Sequence, residues 1–196
     1  MNLLKDSKTK LNLMRAFAGE SQARNRYTFG ACQAKNLNLF LIERAFTYTA
    51  DQEKAHAEQF IGKLKKFSGQ DIVINAGYPV EVETNVLKLL RSAEKHENDE
   101  FSSIYSEFAK IAREEGFNDI AVLFDNIGSI EKVHSDRFKK YADRLENGRL
   151  FKDNTQTLWM CANCGFIYEG TEALKACPVC TYPQGYFIRF EETQFE

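Results

Sequence analysis

A glutamate followed three residues later by a histidine occurs twice in this chain, as Glu53/His56 and as Glu131/His134. Residues i and i+3 lie on one face of an α-helix, so each pair presents a carboxylate and an imidazole in the same direction. Each pair also lies within a stripe of apolar residues, where a carboxylate is costly unless a cation accompanies it. Two such helices facing each other predict a site for two metal ions in the core of a helix bundle.

Apolar stripes with steps of three and four residues occur in four segments, which predicts four helices around a common core. The second stripe is Ile42, Phe46, Thr49, Glu53, His56, Phe60, Leu64 and Phe67, and the fourth is Ile120, Phe124, Ile127, Glu131, His134, Phe138, Tyr141 and Leu145. The first is Leu13, Ala16, Glu20, Ala23, Tyr27, Gly30 and Ala34, and the third is Leu87, Leu90, Ala93, Glu97, Glu100, Ile104, Phe108 and Ile111. Each stripe therefore brings at least one acid to the predicted core.

An internal repeat relates the acids of the two halves. Glu20 precedes Glu53 by 33 residues and Glu97 precedes Glu131 by 34 residues, so Glu97 is the equivalent of Glu20. The residues alone leave a further ligand on the third segment open between Glu94 and Glu100, because a stripe through Glu94, Glu97 and Phe101 fits nearly as well. His96 lies off the stripe, and we expect it on the surface.

Composition and charge narrow the possible partners. The 196 residues are 43% hydrophobic and carry a formal charge of −2, which favours an ordered protein that binds neither nucleic acid nor acidic membranes. The N-terminal segment Met1–Ser7 lacks the apolar run of a signal peptide, and no stretch reaches the ~20 apolar residues of a membrane span. We therefore expect a cytoplasmic protein whose partners are proteins and small molecules.

Helix-breaking residues divide the chain into elements. We predict helices from about Ser7 to Ala34, from Leu39 to Phe67, from a Thr84 cap to Gly116 and from Asn118 or Asp119 to Glu146, with residues 70–83 as a long crossover. Two helical hairpins joined by one long crossover form a ferritin-like four-helix bundle. The predicted domains are an all-α bundle over residues 1–147, a linker over 148–157 and a small metal-stapled β/loop domain over 158–196.

The small domain carries two Cys-x-x-Cys pairs, Cys161/Cys164 and Cys177/Cys180, separated by twelve residues. This spacing predicts one tetrahedral metal bound by four thiolates, and both zinc and iron accept such ligands. A segment of about forty residues builds little core, so we expect the metal to fold it. We expect these aromatic residues to pack around it: Trp159, Phe166, Tyr168, Tyr186 and Phe187. Cys32 stands outside the pattern and is predicted to be a partly buried apolar residue.

These motifs, in this order, resemble the rubrerythrin family along nearly the whole chain. The resemblance rests on the segments Ala18–Tyr27, Thr49–His56, Phe108–Gly116 and Glu131–His134 and on the two cysteine pairs. It implies a ferritin-like di-iron bundle joined to a rubredoxin-like domain with one iron in an Fe(Cys)4 site, and reduction of hydrogen peroxide to water. The implied iron ligands are Glu20, Glu53, Glu97, Glu131 and His134, with His56 and Glu100 exchanging on one iron as its oxidation state changes.

The resemblance also bears on three positions beside the ligands. The family has a tyrosine five residues after the exchanging carboxylate, and Tyr105 stands five residues after Glu100, which favours Glu100. Just before the first of these acids the family often has small residues, whereas this chain has Glu94-Lys95-His96. Glu94 therefore remains an alternative to Glu100 as the further ligand. Thr181 follows the last cysteine, where the family favours Gly or Ala, and it is expected to alter the donors around the sulfurs. We predict that Tyr27 and Tyr105 orient ligand carboxylates, the alternative being core tyrosines with satisfied hydroxyls.

The family's electron supply implies further partners. An Fe(Cys)4 unit carries one electron at a time, and in the family a head-to-tail homodimer sets each rubredoxin-like domain beside the partner's di-iron site. The expected donor is an NAD(P)H-dependent reductase, acting directly or through a rubredoxin. Two other functions compete: a ferroxidase or iron-handling ferritin-like protein explains only the bundle, and a regulatory scaffold with a zinc ribbon explains only the tail.

Overall fold

The computed structural model describes residues 3–193 and contains a helical bundle followed by a small β domain. Its helices are α1 (Lys8–Asn36), α2 (Phe40–Lys63), α3 (Val86–Asp99), α4 (Tyr105–Glu114) and α5 (Asn118–Glu146). The predicted all-α bundle with a small metal-stapled domain is confirmed. The first two and last three residues, which belong to the predicted domain ranges, lie outside the described residues.

Side-chain caps begin two of the helices. The Ser7 hydroxyl accepts a hydrogen bond from the Lys10 backbone N–H at 3.0 Å and caps α1, close to the predicted start. The predicted Thr84 cap of the third helix is wrong, because Asn85 caps α3 by accepting from the Lys88 N–H at 3.0 Å. The Glu83 carboxylate binds the Thr84 and Asn85 N–H groups, each at 2.9 Å, so Thr84 lies outside the helix.

The third predicted helix is interrupted by a π-helical turn, Glu100–Ile104, which joins α3 to α4. A π turn adds one residue to the helical repeat, so every later side chain moves to a new position around the axis. The predicted stripe therefore fails after Glu97: Ile104 is 39% exposed, whereas its neighbour Tyr105 is 2% exposed. The buried face continues through Ala109 and Ala112 rather than Phe108 and Ile111.

The other stripes are buried as predicted, apart from their half-buried last residues Phe67 and Leu145. Helix α1 pairs with α2, and α3 and α4 pair with α5. Gly30 allows the first pair to approach closely, since a Cβ there would lie 3.1 Å from the Phe46 ring. Helix α2 ends at Lys63, and a 3₁₀ turn, Lys65–Phe67, replaces its predicted last turn.

The acids and histidines form a polar layer between two apolar clusters of the bundle. On one side the buried residues include Tyr27, Ile42, Phe46, Leu90 and Phe138. On the other side they include Leu13, Phe60, Tyr105, Phe124 and Ile127. Helices α1, α2 and α5 enter this layer midway along their buried faces, whereas α3 enters it in its last turn, through Glu97. The polar layer is therefore enclosed by well-packed core at both ends.

The crossover from α2 to α3 runs along the surface of the bundle, as its length predicted. It is fastened to α1 by two hydrogen bonds. The Tyr78 hydroxyl donates to the Arg15 carbonyl oxygen at 3.0 Å, and the Arg15 Nε donates to the Asn75 carbonyl oxygen at 3.1 Å. Three valines of this segment, Val73, Val80 and Val82, are almost fully exposed.

The small domain is a three-stranded antiparallel sheet in the order β2-β1-β3, formed by β1 (Lys152–Cys161), β2 (Ile167–Glu172) and β3 (Phe187–Arg189). Strand β1 begins inside the segment predicted to be a linker, so most of that segment is structured. Trp159 and Phe187 fill the core of the sheet and are fully buried. The indole N–H of Trp159 donates to the Gly170 carbonyl oxygen at 2.9 Å.

This domain packs on the end of the bundle where α1 leads into α2. The Tyr186 ring stacks on Phe40 with centroids 5.1 Å apart, and Gly185 lies directly against the Asn38 carbonyl group, where no side chain fits. Lys140 donates to the Glu192 carboxylate at 2.8 Å, which ties the last 3₁₀ turn to α5.

Two further expectations concern the surface. Cys32 is exposed rather than partly buried, because it lies beside the α1 stripe on the outward side. Within the described part of the chain, no helix is both long and apolar enough to cross a membrane.

Candidate metal centre

Six buried side chains from the four predicted helical segments meet in the polar layer. They form two overlapping groups of possible metal ligands, one made of Glu20, Glu53, His56 and Glu131, the other of Glu53, Glu97, Glu131 and His134. In each group the ligand atoms all lie within 4.8 Å of one another. Glu53 and Glu131 belong to both groups, so the geometry offers two adjacent ion sites joined by shared carboxylates.

The distances around the two imidazoles show this arrangement. His56 Nδ1 lies 3.1 Å from oxygens of both Glu53 and Glu131, and 3.6 Å from Glu20. His134 Nδ1 lies 2.9 Å from Glu53 and 2.8 Å from Glu131. The two rings are nearly parallel, at 19°, with centroids 5.7 Å apart. Each histidine therefore serves one of the two groups and faces the shared acids.

Many polar atoms of this cluster have no hydrogen-bond partner, although they are inaccessible to water. They are Glu20 Oε2, Glu53 Oε1, Glu97 Oε2, both carboxylate oxygens of Glu131 and His134 Nδ1. Buried polar groups in proteins are nearly always hydrogen-bonded, because an unsatisfied one loses its hydration without compensation. Oxygen and nitrogen atoms that converge without bonding to each other suit metal cations, so the donor set fits the two ions that the sequence predicts.

Without metal, burial and close like charges shift the pKa values of several groups in the cluster. Burial and the neighbouring acids raise the pKa of Glu20 and of Glu97 well above the usual range. Burial also opposes charge on Glu53, but the adjacent imidazoles of His134 and His56 outweigh this and lower its pKa to about 2. Likewise, the acids around His56 and His134 outweigh burial and raise their pKa values to about 12 and about 11. Metal-free protein thus retains protons that bound cations would displace.

Two tyrosines hold the acids that are not shared. The Tyr27 hydroxyl donates to the Glu97 carboxylate, and the Tyr105 hydroxyl donates to the Glu20 carboxylate. Both hydroxyls are buried, and burial raises the pKa of each tyrosine well above 10.0. They therefore remain protonated donors that fix one oxygen of each carboxylate and leave the other oxygen facing the cluster.

One histidine is oriented by residues that the sequence reasoning missed. His134 Nε2 lies 3.0 Å from Gln52 Oε1, which also accepts from Arg137 Nη1 at 3.0 Å. Because Arg137 can only donate, this atom of Gln52 is the oxygen, and His134 Nε2 must carry a proton. The lone pair of neutral His134 is then on Nδ1, which faces the acids. The only sequence signal for Arg137 is its position three residues after His134.

Glu94 and Glu100, the two candidates for a further acidic ligand, have different surroundings in the structure. Glu100, the first residue of the π turn, is half-buried, and burial followed by the charges of Glu131 and Glu53 raises its pKa well above the usual range. It belongs to neither ligand group. Glu94 pairs with Arg91 at 2.9 Å and also belongs to neither ligand group. His96 is half-buried rather than at the surface as predicted, and burial, followed by the charge of Arg26, lowers its pKa.

The four cysteines of the small domain form the second candidate centre. Their Sγ atoms all lie within 4.8 Å of one another, with Cys161 3.6 Å from Cys180 and Cys164 3.5 Å from Cys177. All four thiols are free. The Tyr182 backbone N–H lowers the pKa of Cys180 to about 6, which favours the thiolate that a metal requires.

The two cysteine turns have the same backbone form. In the first, the Gly165 N–H donates to the Cys161 carbonyl oxygen at 2.8 Å; in the second, the Thr181 N–H donates to the Cys177 carbonyl oxygen at 2.9 Å. Both residues have positive φ, 78° for Gly165 and 64° for Thr181. A β-branched residue is strained in this region, so glycine suits the position of Thr181 better.

Comparison with known proteins identifies the family. The rubrerythrin family profile matches residues 12–142, and the profile of the rubrerythrin rubredoxin-like domain matches residues 159–188. The chain belongs to the rubrerythrin family. It is 46% identical to rubrerythrin from Clostridium perfringens over 98% of this chain and 100% of that protein. It is 40% identical to rubrerythrin from Nitratidesulfovibrio vulgaris over 95% of this chain and 96% of that protein.

Solved structures agree with this assignment. A mixed-valence state of nigerythrin superposes with a TM-score of 0.63 at 27% identity, covering 96% of this chain and 92% of that chain. A bacterioferritin from Desulfovibrio desulfuricans, described with a diiron site, shares the bundle fold with a TM-score of 0.66 at 23% identity, over 76% of this chain and 87% of that one. Rubrerythrin membership assigns two iron ions to the carboxylate and histidine cluster and one iron to the four cysteines.

Proposed function

We propose that this rubrerythrin-family protein is a peroxidase that reduces hydrogen peroxide to water, with electrons delivered through its four-cysteine iron. The observation that carries the proposal is the sharing of Glu53 and Glu131 by two ligand groups, next to a separate one-electron site in the same chain. The reaction is H₂O₂ + 2 e⁻ + 2 H⁺ → 2 H₂O. Two adjacent ions held by these residues would supply the two electrons that the reaction requires.

The proposed ligands balance the charge of the reduced centre. Four carboxylates, those of Glu20, Glu53, Glu97 and Glu131, carry four negative charges and match two Fe²⁺ ions. His134 and His56 add neutral nitrogen donors. Bound iron supplies the reducing electrons of the reaction, and the oxidised centre carries more positive charge. A fifth carboxylate would favour that state, so we propose that Glu100 would hold the oxidised ion in place of His56.

Hydrogen bonds from surrounding side chains hold three of the proposed ligands. Tyr105 and Tyr27 hold Glu20 and Glu97 in place by hydrogen bonds, and the Gln52 oxygen fixes the ring of His134. Glu100 is the first residue of the π turn and lies outside both ligand groups. We therefore propose that Glu20, Glu97 and His134 keep their positions while Glu100 and His56 exchange.

Electron delivery is proposed to need a second copy of the chain. The small domain packs beside Phe40, and Glu53 lies thirteen residues farther along α2, about 20 Å at 1.5 Å per residue. A head-to-tail homodimer would place the cysteine site of one copy nearer the bundle of the other. The proposed upstream donor is an NAD(P)H-dependent reductase, acting directly or through a rubredoxin.

The substitution Cys164→Ser tests whether the bundle reduces peroxide while the cysteine site delivers the electrons. Chemically reduced variant protein should be oxidised by one equivalent of peroxide at near wild-type rate, because no bundle ligand is touched. Steady-state turnover with a reductase and NAD(P)H should collapse. Size-exclusion chromatography and bundle iron content of the same sample control for loss of the oligomer or of the bundle metal.

Three outcomes of this experiment contradict the proposal in different ways. Intact steady-state turnover without tail iron would mean that electrons enter the bundle directly. Failure of peroxide to oxidise the reduced wild-type protein would exclude the peroxidase. Ferrous iron oxidised in excess and retained as ferric mineral would favour the alternative iron-handling function.

A further inference from the structure

A cavity of about 320 Å³ lies beside the carboxylate cluster, between the π turn and the crossover segment. Glu100 and Tyr105 form part of its wall, and Tyr105 is hydrogen-bonded to Glu20. Tyr78 and Pro79 of the crossover form another part. A molecule in this cavity therefore contacts residues that border the proposed metal ligands at one end and the surface segment at the other.

The cavity is larger than hydrogen peroxide requires. Since a water molecule occupies about 30 Å³ of the liquid, its volume corresponds to roughly ten water molecules. Hydrogen peroxide has two non-hydrogen atoms. The volume instead lies at the lower end of the range for pockets that bind organic ligands, which begins at about 300 Å³.

The wall chemistry changes from one end to the other. Its apolar surface comes mainly from Tyr78, Pro79, Ile104 and Phe108. Polar and charged side chains also line it: Arg15, Arg26, His96, Asp99 and Glu107. At the cluster it presents the Glu100 carboxylate, which belongs to neither ligand group. Such a wall suits a molecule with a small apolar body and one polar end.

We propose that this cavity receives the organic group of a small hydroperoxide, so that the protein reduces organic hydroperoxides as well as hydrogen peroxide. The inference rests on the proposed function, because the same centre supplies the electrons. The O–O bond breaks in ROOH + 2 e⁻ + 2 H⁺ → ROH + H₂O, with both electrons taken from the reduced di-iron centre. The organic group occupies the apolar part of the cavity while the O–O group faces Glu100 and the cluster.

The crossover segment offers a substitution that narrows the cavity without disturbing the core. Ala76 lines the cavity but is exposed, so Ala76→Phe adds volume at the mouth with little effect on folding. Val80 lies on the same segment, is 92% exposed and does not line the cavity. The substitution Val80→Phe therefore serves as the matched control.

The first measurement compares two oxidants. Anaerobically reduced full-length protein is mixed with hydrogen peroxide or cumene hydroperoxide in a stopped-flow instrument, and the ratio of the two second-order rate constants is taken. Because one or a few misplaced carbons in a pocket change specificity by about tenfold or more, Ala76→Phe should lower the cumene-to-hydrogen peroxide ratio by about tenfold. The Val80→Phe control should keep the wild-type ratio.

The second measurement needs no turnover. Calorimetric titration of the oxidised full-length protein with 2-phenyl-2-propanol, the alcohol formed from cumene hydroperoxide, should show binding to the wild type. The affinity should be about tenfold weaker in Ala76→Phe and unchanged in Val80→Phe.

The outcomes separate this inference from the proposed function. Wild-type protein that is oxidised by hydrogen peroxide but not by cumene hydroperoxide overturns the cavity proposal and leaves the peroxidase intact. An unchanged ratio in Ala76→Phe, or a wild type that does not bind the alcohol, also overturns it. Protein that reacts with neither oxidant refutes the peroxidase, and the cavity proposal with it.

Discussion

The two candidate metal centres are built in opposite ways. The bundle cluster takes its ligands from residues spread between Glu20 and His134, on helices whose apolar faces pack above and below it. The small centre takes all four ligands from two short turns between Cys161 and Cys180. Six bundle ligands are buried, whereas Cys164 of the small centre is exposed.

This difference determines what holds each site together. In the bundle, large apolar clusters form around the ligands, so the helices have a core of their own. In the small domain the buried cluster is Trp159, Cys161, Ala173, Cys177 and Phe187, and two of these five residues are themselves ligands. The bundle therefore positions its metals at an electrostatic cost, whereas we expect the small domain to depend on its metal to fold.

The largest expected effect tests this dependence directly. Removing metal from the zinc-loaded full-length protein should unfold the small β-sheet but leave the helices, because small tetrahedral sites contribute on the order of 10 kcal/mol to folding. Trp159, the single tryptophan, is fully buried and reports on this sheet. Its emission should shift to the red while helical circular dichroism persists. Unshifted emission from metal-free protein would show that the small domain folds without its metal, as the bundle is expected to do.

The pH dependence of the metal-free bundle should reveal the cost of its acids. The folded-state pKa is raised for Glu20, Glu97, Glu100, His56 and His134. A group with a raised pKa stabilises the fold at low pH and loses this contribution as pH rises toward the folded-state value. Glu53, whose pKa is lowered to about 2, loses its contribution only below its unfolded value of 4.5.

Between pH 5 and pH 8 these effects have the same sign. The free energy of unfolding of metal-free protein should therefore fall with rising pH, by on the order of 1 kcal/mol per pH unit for each such group titrating in this window. Metal-loaded protein should show the opposite trend, because protons compete with the cations for the ligands. Urea unfolding of the two forms at both pH values measures this. Parallel pH profiles would contradict the assigned cluster.

A smaller effect distinguishes the two acids of the third segment. Glu100→Ala should slow oxidation of the reduced iron-loaded protein by peroxide by about tenfold or more, a typical cost of losing a group beside a metal. Glu94→Ala removes only a partly exposed ion pair with Arg91, so its rate should match the wild type. Stopped-flow traces of both variants decide the matter, and the reverse result would place Glu94 at the metal.

The smallest effect concerns the paired cysteine turns. Because Thr181 has φ of 64°, Thr181→Gly should stabilise the small domain by about 1 kcal/mol. Gly165→Thr, at the equivalent position of the other turn, should destabilise it by a similar amount. Thermal unfolding followed by Trp159 emission compares both with the wild type. A destabilised Thr181→Gly variant would show that the threonine side chain has a compensating role, such as its hydrogen bond to the Cys180 carbonyl at 2.6 Å.

Several features of the bundle were predictable because they depend on local periodicity. The stripe of α5 is buried from Ile120 to Tyr141, and its bounds agree with the breakers in the sequence. A carboxylate within such a stripe is a strong signal, since an apolar face rarely contains an unpaired charge. The cysteine spacing was equally informative, because a Cys-x-x-Cys turn is closed by its own backbone hydrogen bonds.

Other features depend on packing between distant segments. The π turn adds a single residue, and the stripe pattern alone did not indicate that Tyr105 rather than Ile104 would point inward. His96 is half-buried beside the cavity that the crossover covers. Cys32 is exposed because only the stripe beside it meets α2. None of these contacts leaves a periodic signal.

The sequence by itself determined the ligand types, their i and i+3 spacing and the two cysteine turns, because each is set by backbone geometry within a few residues. Only the tertiary structure decided that Glu53 and Glu131 are shared by both ligand groups, and that Glu100 lies beside a cavity while Glu94 pairs with Arg91. These outcomes depend on the packing angles between the helices and on the path of the segment that joins α2 to α3. Such geometry arises from the packing of the whole core, which no single segment encodes.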